Sequence, residues 1–153
     1  MKTRLLTTCF AVMAVVVAAN LVADEDKPDL EGITCPVSNK AVNADVTADY
    51  REGHIFLCCP GCVGPFEEKT EKFSTKANMQ LVATKQVKQV NCPISGHEVN
   101  DKVTSEVGGV TIGYCCKGCK GKVNKAEGDD QLALVFSNEA FENGFAFSEE
   151  DEG

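Results

Sequence analysis

Eight cysteines fall into one pattern used twice. Cys35, Cys58, Cys59 and Cys62 are followed, each 57 residues later, by Cys92, Cys115, Cys116 and Cys119. In both sets 22 residues separate the first thiol from the second, and the remainder reads Cys-Cys-x-x-Cys. Thiolates are soft ligands that suit Zn²⁺ and Cu(I), so three thiols brought to one point would make a metal site. Three satisfy Cu(I), whereas tetrahedral zinc needs a fourth donor. Cys59 or Cys116 could supply it, although neighbouring side chains on a strand point to opposite faces. His54 and His97 fall at unmatched positions, since their counterparts are Thr111 and Lys40, so neither reads as a repeated ligand.

Two other chemistries compete for the same sulfurs. An even number of cysteines in an exported chain also describes a disulfide scaffold, with bridges such as Cys35 to Cys62. Crowding argues against it, because adjacent cysteines make strained bridges. Cys59-Pro60-Gly61-Cys62 is also a Cys-x-x-Cys at a helix start, the setting of an activated redox thiol. Its counterpart is Cys116-Lys117-Gly118-Cys119, and the surrounding pattern is hairpin and helix, not a βαβ unit. Haem attachment is excluded, since Val63 and Lys120 follow the last cysteines where histidine is required.

The elements that must position these thiols are themselves repeated. Residues 35–64 and 92–121 align without a gap, with 13 identities in 30 positions. Each copy opens with Cys-Pro-x-Ser, a tight turn holding the first thiol. A hairpin follows: Val46–Tyr50 with His54–Cys58 in one copy, Val103–Val107 with Val110–Cys115 in the other. Gly61 and Gly118 then permit a reversal into a helix, expected over Pro65–Phe73 and Lys117–Glu127. A helix and a strand are expected between Lys76 and Val90; a helix through Leu132, Leu134 and Val135, and another capped by Ser137 or Asn138, close the second copy. The second copy has Val107, Gly113 and Val123 where the first has Tyr50, Phe56 and Phe66, which makes it the weaker or more purely structural of the two.

Composition bounds what surrounds these elements. The 153 residues carry 15 Lys+Arg and 23 Asp+Glu, a net charge of −8, which excludes a basic surface for nucleic acid. Met1–Arg4 is cationic, Leu5–Ala18 is mostly apolar, and small residues follow at Ala18, Ala19 and Ala23, the layout of a secretory signal peptide cleaved after Ala19 or Ala23. Its apolar run is too short for a stable membrane span. Cleavage removes Cys9 and leaves eight thiols. Each 57-residue unit is too small to rest on apolar burial alone, so a metal or disulfide is expected in each.

The spacings Cys35-x22-Cys58-x3-Cys62 and Cys92-x22-Cys115-x3-Cys119, with Cys-Pro in front, resemble the TRASH and YHS-type modules. That resemblance implies an α+β fold of two tandem treble-clef-like zinc-finger modules, each a β-hairpin plus helix, and a role in heavy-metal trafficking, sequestration or resistance. Its implied ligands are Cys35, Cys58 and Cys62, then Cys92, Cys115 and Cys119; Cys59 and Cys116 are additional. The expected organisation is a signal peptide over 1–23, metal-binding repeats over 33–89 and 90–146, and a disordered acidic tail over 147–153. The expected function is an exported, non-enzymatic binder of one Zn or Cu(I) ion per repeat, periplasmic or secreted, with a protein partner for metal transfer and no nucleic acid.

Overall fold

The computed structural model describes residues 30–148, so the leader expected over 1–23 and the tail beyond Ser148 lie outside the described residues. The chain forms a mixed α+β body. Strands β1 (Asn43–Tyr50) and β2 (Gly53–Leu57) make an antiparallel hairpin, followed by a 3₁₀ turn at Pro60–Cys62 and helices α1 (Val63–Glu68) and α2 (Thr70–Ala83). A short strand β3 (Val87–Gln89) leads into the second hairpin, β4 (Asn100–Val107) and β5 (Val110–Tyr114). Helices α3 (Lys117–Asn124), α4 (Gly128–Phe136) and α5 (Asn138–Gly144) and strand β6 (Phe145–Phe147) complete the described chain.

The hairpins share their irregularity as well as their register. Each carries a shift near its start, at Asn43/Thr47 and Asn100/Thr104, and in each the Asn side chain accepts a hydrogen bond from the backbone two residues on. Alternate residues of β1 and β4 face the core through Ala48 and Tyr50 and through Val103 and Val107. The hairpin turns differ. Gly108 has φ +60°, and its counterpart Arg51 has φ +54°, a left-handed conformation that costs a non-glycine residue about 1 kcal/mol. Arg51 uses that geometry to reach α5: its guanidinium donates to Asn138 Oδ1 at 2.9 Å and lies 4.9 Å from the Phe141 ring centre.

The expected helix over Pro65–Phe73 is divided. Lys69 leaves helical geometry (φ −134°, ψ 40°), and the Thr70 hydroxyl donates to the Phe66 carbonyl at 3.0 Å, competing with the helical ladder there. Phe66 and Phe73 still share a face, stacked with ring centres 6.3 Å apart, and Tyr50 meets Phe66 edge-on at 5.7 Å. Helix α2 buries Ser74, Ala77, Asn78 and Leu81, a stripe at three- and four-residue spacing. In the second copy the corresponding helix breaks at Ser137, whose hydroxyl caps α5 by accepting from Ala140 N–H.

The two copies are joined along two seams. Asn78 of α2 is fully buried: its amide donates to the Phe136 carbonyl at 2.8 Å and to Asn138 Oδ1 at 3.2 Å, and its carbonyl accepts from Tyr50 and Arg51. Phe136 thus has its end-of-helix carbonyl satisfied by a side chain of the first copy. The second seam is the antiparallel ribbon β3–β6, with Val87 opposite Phe147, Lys88 opposite Ala146 and Gln89 opposite Phe145. Phe147, expected to begin a tail, is instead the last residue of this ribbon. β6 has no separate turn signal in the sequence, and Phe145 stacks on Phe136 and Phe141 at 6.0 and 5.5 Å.

Candidate metal centres

Each first cysteine sits in a short closed turn. Cys35 N–H donates to Lys40 O and its own carbonyl accepts from Asn39 N–H, both at 2.8 Å; Cys92 repeats this with His97 O and Gly96 N–H at the same distances. The closing residues Asn39 and Gly96 have φ +57° and +67°, positions that Asn and Gly tolerate. Backbone bridges Thr34–Ala41 and Asn91–Glu98 seal the loops, and both thiol-bearing residues are fully buried. From the other side, the second strand of each hairpin stops one residue short of the next cysteine, and the chain turns at once into helical geometry carrying Cys62 or Cys119.

These turns converge on two groups of sulfur. Cys35, Cys58 and Cys62 lie with their Sγ atoms within 4.8 Å of one another, and so do Cys92, Cys115 and Cys119. Cys58 and Cys62 are 3.5 Å apart, Cys115 and Cys119 3.6 Å. A metal–sulfur bond of about 2.3 Å places thiolates about 3.8 Å apart in a tetrahedral site and about 4.0 Å apart in a trigonal plane, so the donor sets fit a thiolate-bound ion. A disulfide needs about 2.05 Å, and all eight described cysteines are free thiols. Cys59 is exposed, with Sγ 3.7 Å from those of Cys58 and Cys62; Cys116 is likewise exposed. The opposite-face argument lapses because β2 ends at Leu57 and β5 at Tyr114, so neither vicinal pair lies on a strand. Neither histidine joins a cluster: His54 packs edge-on against Phe56, and His97 lends its carbonyl to the Cys92 turn.

A second layer fixes the sulfurs. Ser38 Oγ lies 3.1 Å from Cys58 Sγ and Ser95 Oγ 3.2 Å from Cys115 Sγ, contacts that orient a ligating thiolate. The serines recur at the repeat offset, so the sequence marked them, as part of the turn. Two glutamines carry no such mark. Gln80, 1% exposed, donates to the carbonyls of Thr34 and Phe56 at 3.2 and 3.0 Å and accepts from Phe56 N–H. Gln89 donates to the carbonyls of Asn91 and Gly113 at 2.9 and 2.7 Å and accepts from Gly113 N–H at 2.9 Å. Thr34 and Asn91 are repeat equivalents, as are Phe56 and Gly113, yet the glutamines come from non-equivalent positions on α2 and β3. Each amide bridges the residue before the first cysteine to the strand that leads to the second. It also occupies a sheet edge that would otherwise lie unpaired.

Protons are unevenly shared within each group. Burial, then hydrogen bonds to Cys58 and Cys59, push the Cys62 thiol up to about 12; burial and the Cys115 and Cys116 thiols do the same to Cys119. Burial opposes ionisation of Cys92 as well, but hydrogen bonds from Cys115 N–H, the Ser95 hydroxyl and the N–H groups of Ile94 and Ser95 outweigh it and hold that thiol at about 7. Cys59 is lowered by hydrogen bonds with Cys58 and Cys62, and Cys116 by Cys119 N–H and then the Cys115 thiol. The surroundings differ too. Lys102, Lys117 and Lys120 line one cleft of about 330 Å³ beside the second group, where the first copy has Asp45, Pro60 and Val63.

Among the described residues no helix is long and apolar enough to cross a membrane. Compared with protein families, curated proteins and solved structures, the chain matches none.

Proposed function

We propose that this protein is an exported carrier of soft metal ions, Zn²⁺ or Cu(I), held one per repeat by Cys35, Cys58 and Cys62 and by Cys92, Cys115 and Cys119. The observation that carries the proposal is the convergence of three thiols from a turn, a strand end and a helix start, made twice by the same spacing. The hairpin-then-helix order around each group supports a treble-clef-like module, in keeping with the resemblance to TRASH and YHS-type proteins. The leader pattern over 1–23 supports export. Its work is capture and delivery in trafficking, sequestration or resistance, with the ion passed to a protein partner, and not catalytic turnover.

Zinc bound this way would also hold each module together, adding on the order of 10 kcal/mol of folding free energy per site by analogy with zinc fingers. Reduced protein, loaded and desalted, should carry two ions per chain. Cys35→Ser with Cys92→Ser should abolish tight binding at both sites. A double variant that keeps both ions refutes the ligand assignment, and a parent chain that retains no metal and whose thiols pair off in its own compartment refutes the carrier.

A further inference from the structure

The first sulfur group contains two triangles that share an edge. The inner triangle is Cys35, Cys58 and Cys62; the outer is Cys58, Cys59 and Cys62, with separations of 3.5, 3.7 and 3.7 Å. Both have dimensions that a thiolate-bound ion requires, since a bond of about 2.3 Å spaces sulfurs by about 3.8 Å. They differ in access: Cys35 is 0% exposed and locked in its turn, Cys62 is buried, and Cys59 is open to solvent. The second copy reproduces this difference in access, and the Cys116 thiol hydrogen-bonds with those of Cys115 and Cys119. Cys92 is fully buried, Cys116 is exposed, and the backbone of Cys59 (φ −162°, ψ 160°) is matched by that of Cys116 (φ −156°, ψ 164°). A solvent-facing thiol at one position, with one backbone conformation, has thus been built twice. A methyl group added at Gly61 or Gly118 would lie 3.8 or 3.6 Å from the Cys59 or Cys116 sulfur, in ordinary contact with it and with no other side chain.

We propose that Cys59 and Cys116 are exchange ligands, through which a stored ion is handed to a thiol-bearing carrier. The inference rests on the metal-carrier reading and adds the route by which the ion leaves. The ion moves from the inner to the outer triangle while Cys58 and Cys62 stay bound. The metal–sulfur bond to Cys35 breaks and one to Cys59 forms; the proton lost by the Cys59 thiol is taken up by the Cys35 thiolate, and the metal keeps its oxidation state. A thiolate of the carrier then bonds to the exposed ion, and the protein's thiolates depart in turn, each taking a proton from the incoming thiols or from water. The second group does the same with Cys92 and Cys116. A buried inner triangle explains retention, and a shared edge explains how release avoids a free ion.

The test compares the full-length reduced chain with Cys59→Ser plus Cys116→Ser, both loaded with zinc. Glutathione in excess serves as the thiol carrier, and a chromogenic zinc indicator reads the release. The double variant should still bind two zinc ions per chain but release them to glutathione about tenfold or more slowly, a change worth about 1.4 kcal/mol in the barrier. Cys59→Ala with Cys116→Ala should behave alike, which separates loss of the thiol from any effect of serine. Equal release rates in parent and variants overturn the exchange role. Loss of zinc from either double variant overturns it as well, by making these cysteines obligatory cage members. A parent chain that binds no zinc is a separate outcome, and it defeats the carrier reading itself.

Discussion

Replacing Gln80 with leucine removes a clamp while keeping the volume that fills its place. Three hydrogen bonds disappear, two of them to the buried backbone of Phe56 and one to the Thr34 carbonyl. Thr34 is exposed, so water can take over its carbonyl; Phe56 is 4% exposed, so its N–H and C=O are left without partners. At about 1–3 kcal/mol for each of the two orphaned buried groups, the loss is about 2–6 kcal/mol, partly offset by burial of the leucine methyl groups, and we expect about 3 kcal/mol. Urea denaturation of the reduced, zinc-loaded chain in a Cys35→Ser background, where the first site adds no binding energy of its own, measures it. The same substitution frees the Cys35 turn from the strand leading to Cys58, so zinc affinity of the first site should fall by roughly ten- to a hundredfold. A Cys92→Ser background isolates that site for competition with a chelator. A loss below about 1 kcal/mol, or a first site of unchanged affinity, would refute the claim that one amide sets the distance between the two thiols.

Other expectations follow from the same structure. Gln89→Leu should weaken the second site and spare the first, measured by the same competition in Cys35→Ser and Cys92→Ser backgrounds respectively. Asn78→Ala opens the seam between copies and should cost about 3 kcal/mol by thermal or chemical denaturation, because the Phe136 carbonyl and the Tyr50 hydroxyl lose their buried partner. Gly144→Ala places a methyl group 2.9 Å from Pro93 Cα, next to Cys92, and should cost about 1–3 kcal/mol and loosen the second site alone. Cys62 and Cys119 are pushed up to about 12 and are therefore protonated at pH 7, so each ion bound must displace at least one proton. Zinc affinity should accordingly rise about tenfold or more per pH unit between pH 6 and 8, as read by calorimetry in buffers of different ionisation heat, and a flat profile would contradict the protonation scheme.

Much of the architecture could be read from the chain because it was written twice. The hairpins and the turn of the first cysteine recur at one offset, and alternation in β1 and β4 identifies the inward positions. Ser137 announces α5 through an ordinary capping signal. What escaped was non-local. The pairing of β6 with β3 joins residues about sixty positions apart with only three residues on each side, too few for periodicity to register. Gln80 and Gln89 act through side-chain amides on distant backbone, at positions the repeat does not relate, so self-comparison passed them over. The division at Lys69 depended on a hydroxyl competing with a helical carbonyl, a local choice that helix spacing alone does not express. Within the sulfur groups the spacing identified which thiols meet, but the exposure of Cys59 and Cys116 depended on where β2 and β5 stop.

The β3–β6 ribbon places Lys88 directly opposite Ala146, residues 58 apart, nearly one repeat length. The ribbon therefore pairs strands from matching places in the two copies, as an interface between two copies of one chain would. A gene encoding a single copy would yield a protomer with a bare strand edge and no Phe136 carbonyl for its Asn78 to hold, complete only in pairs. Carrying both copies on one polypeptide makes that contact independent of concentration, while the halves still differ: Lys102, Lys117 and Lys120 line a cleft in the second where the first has Asp45, Pro60 and Val63.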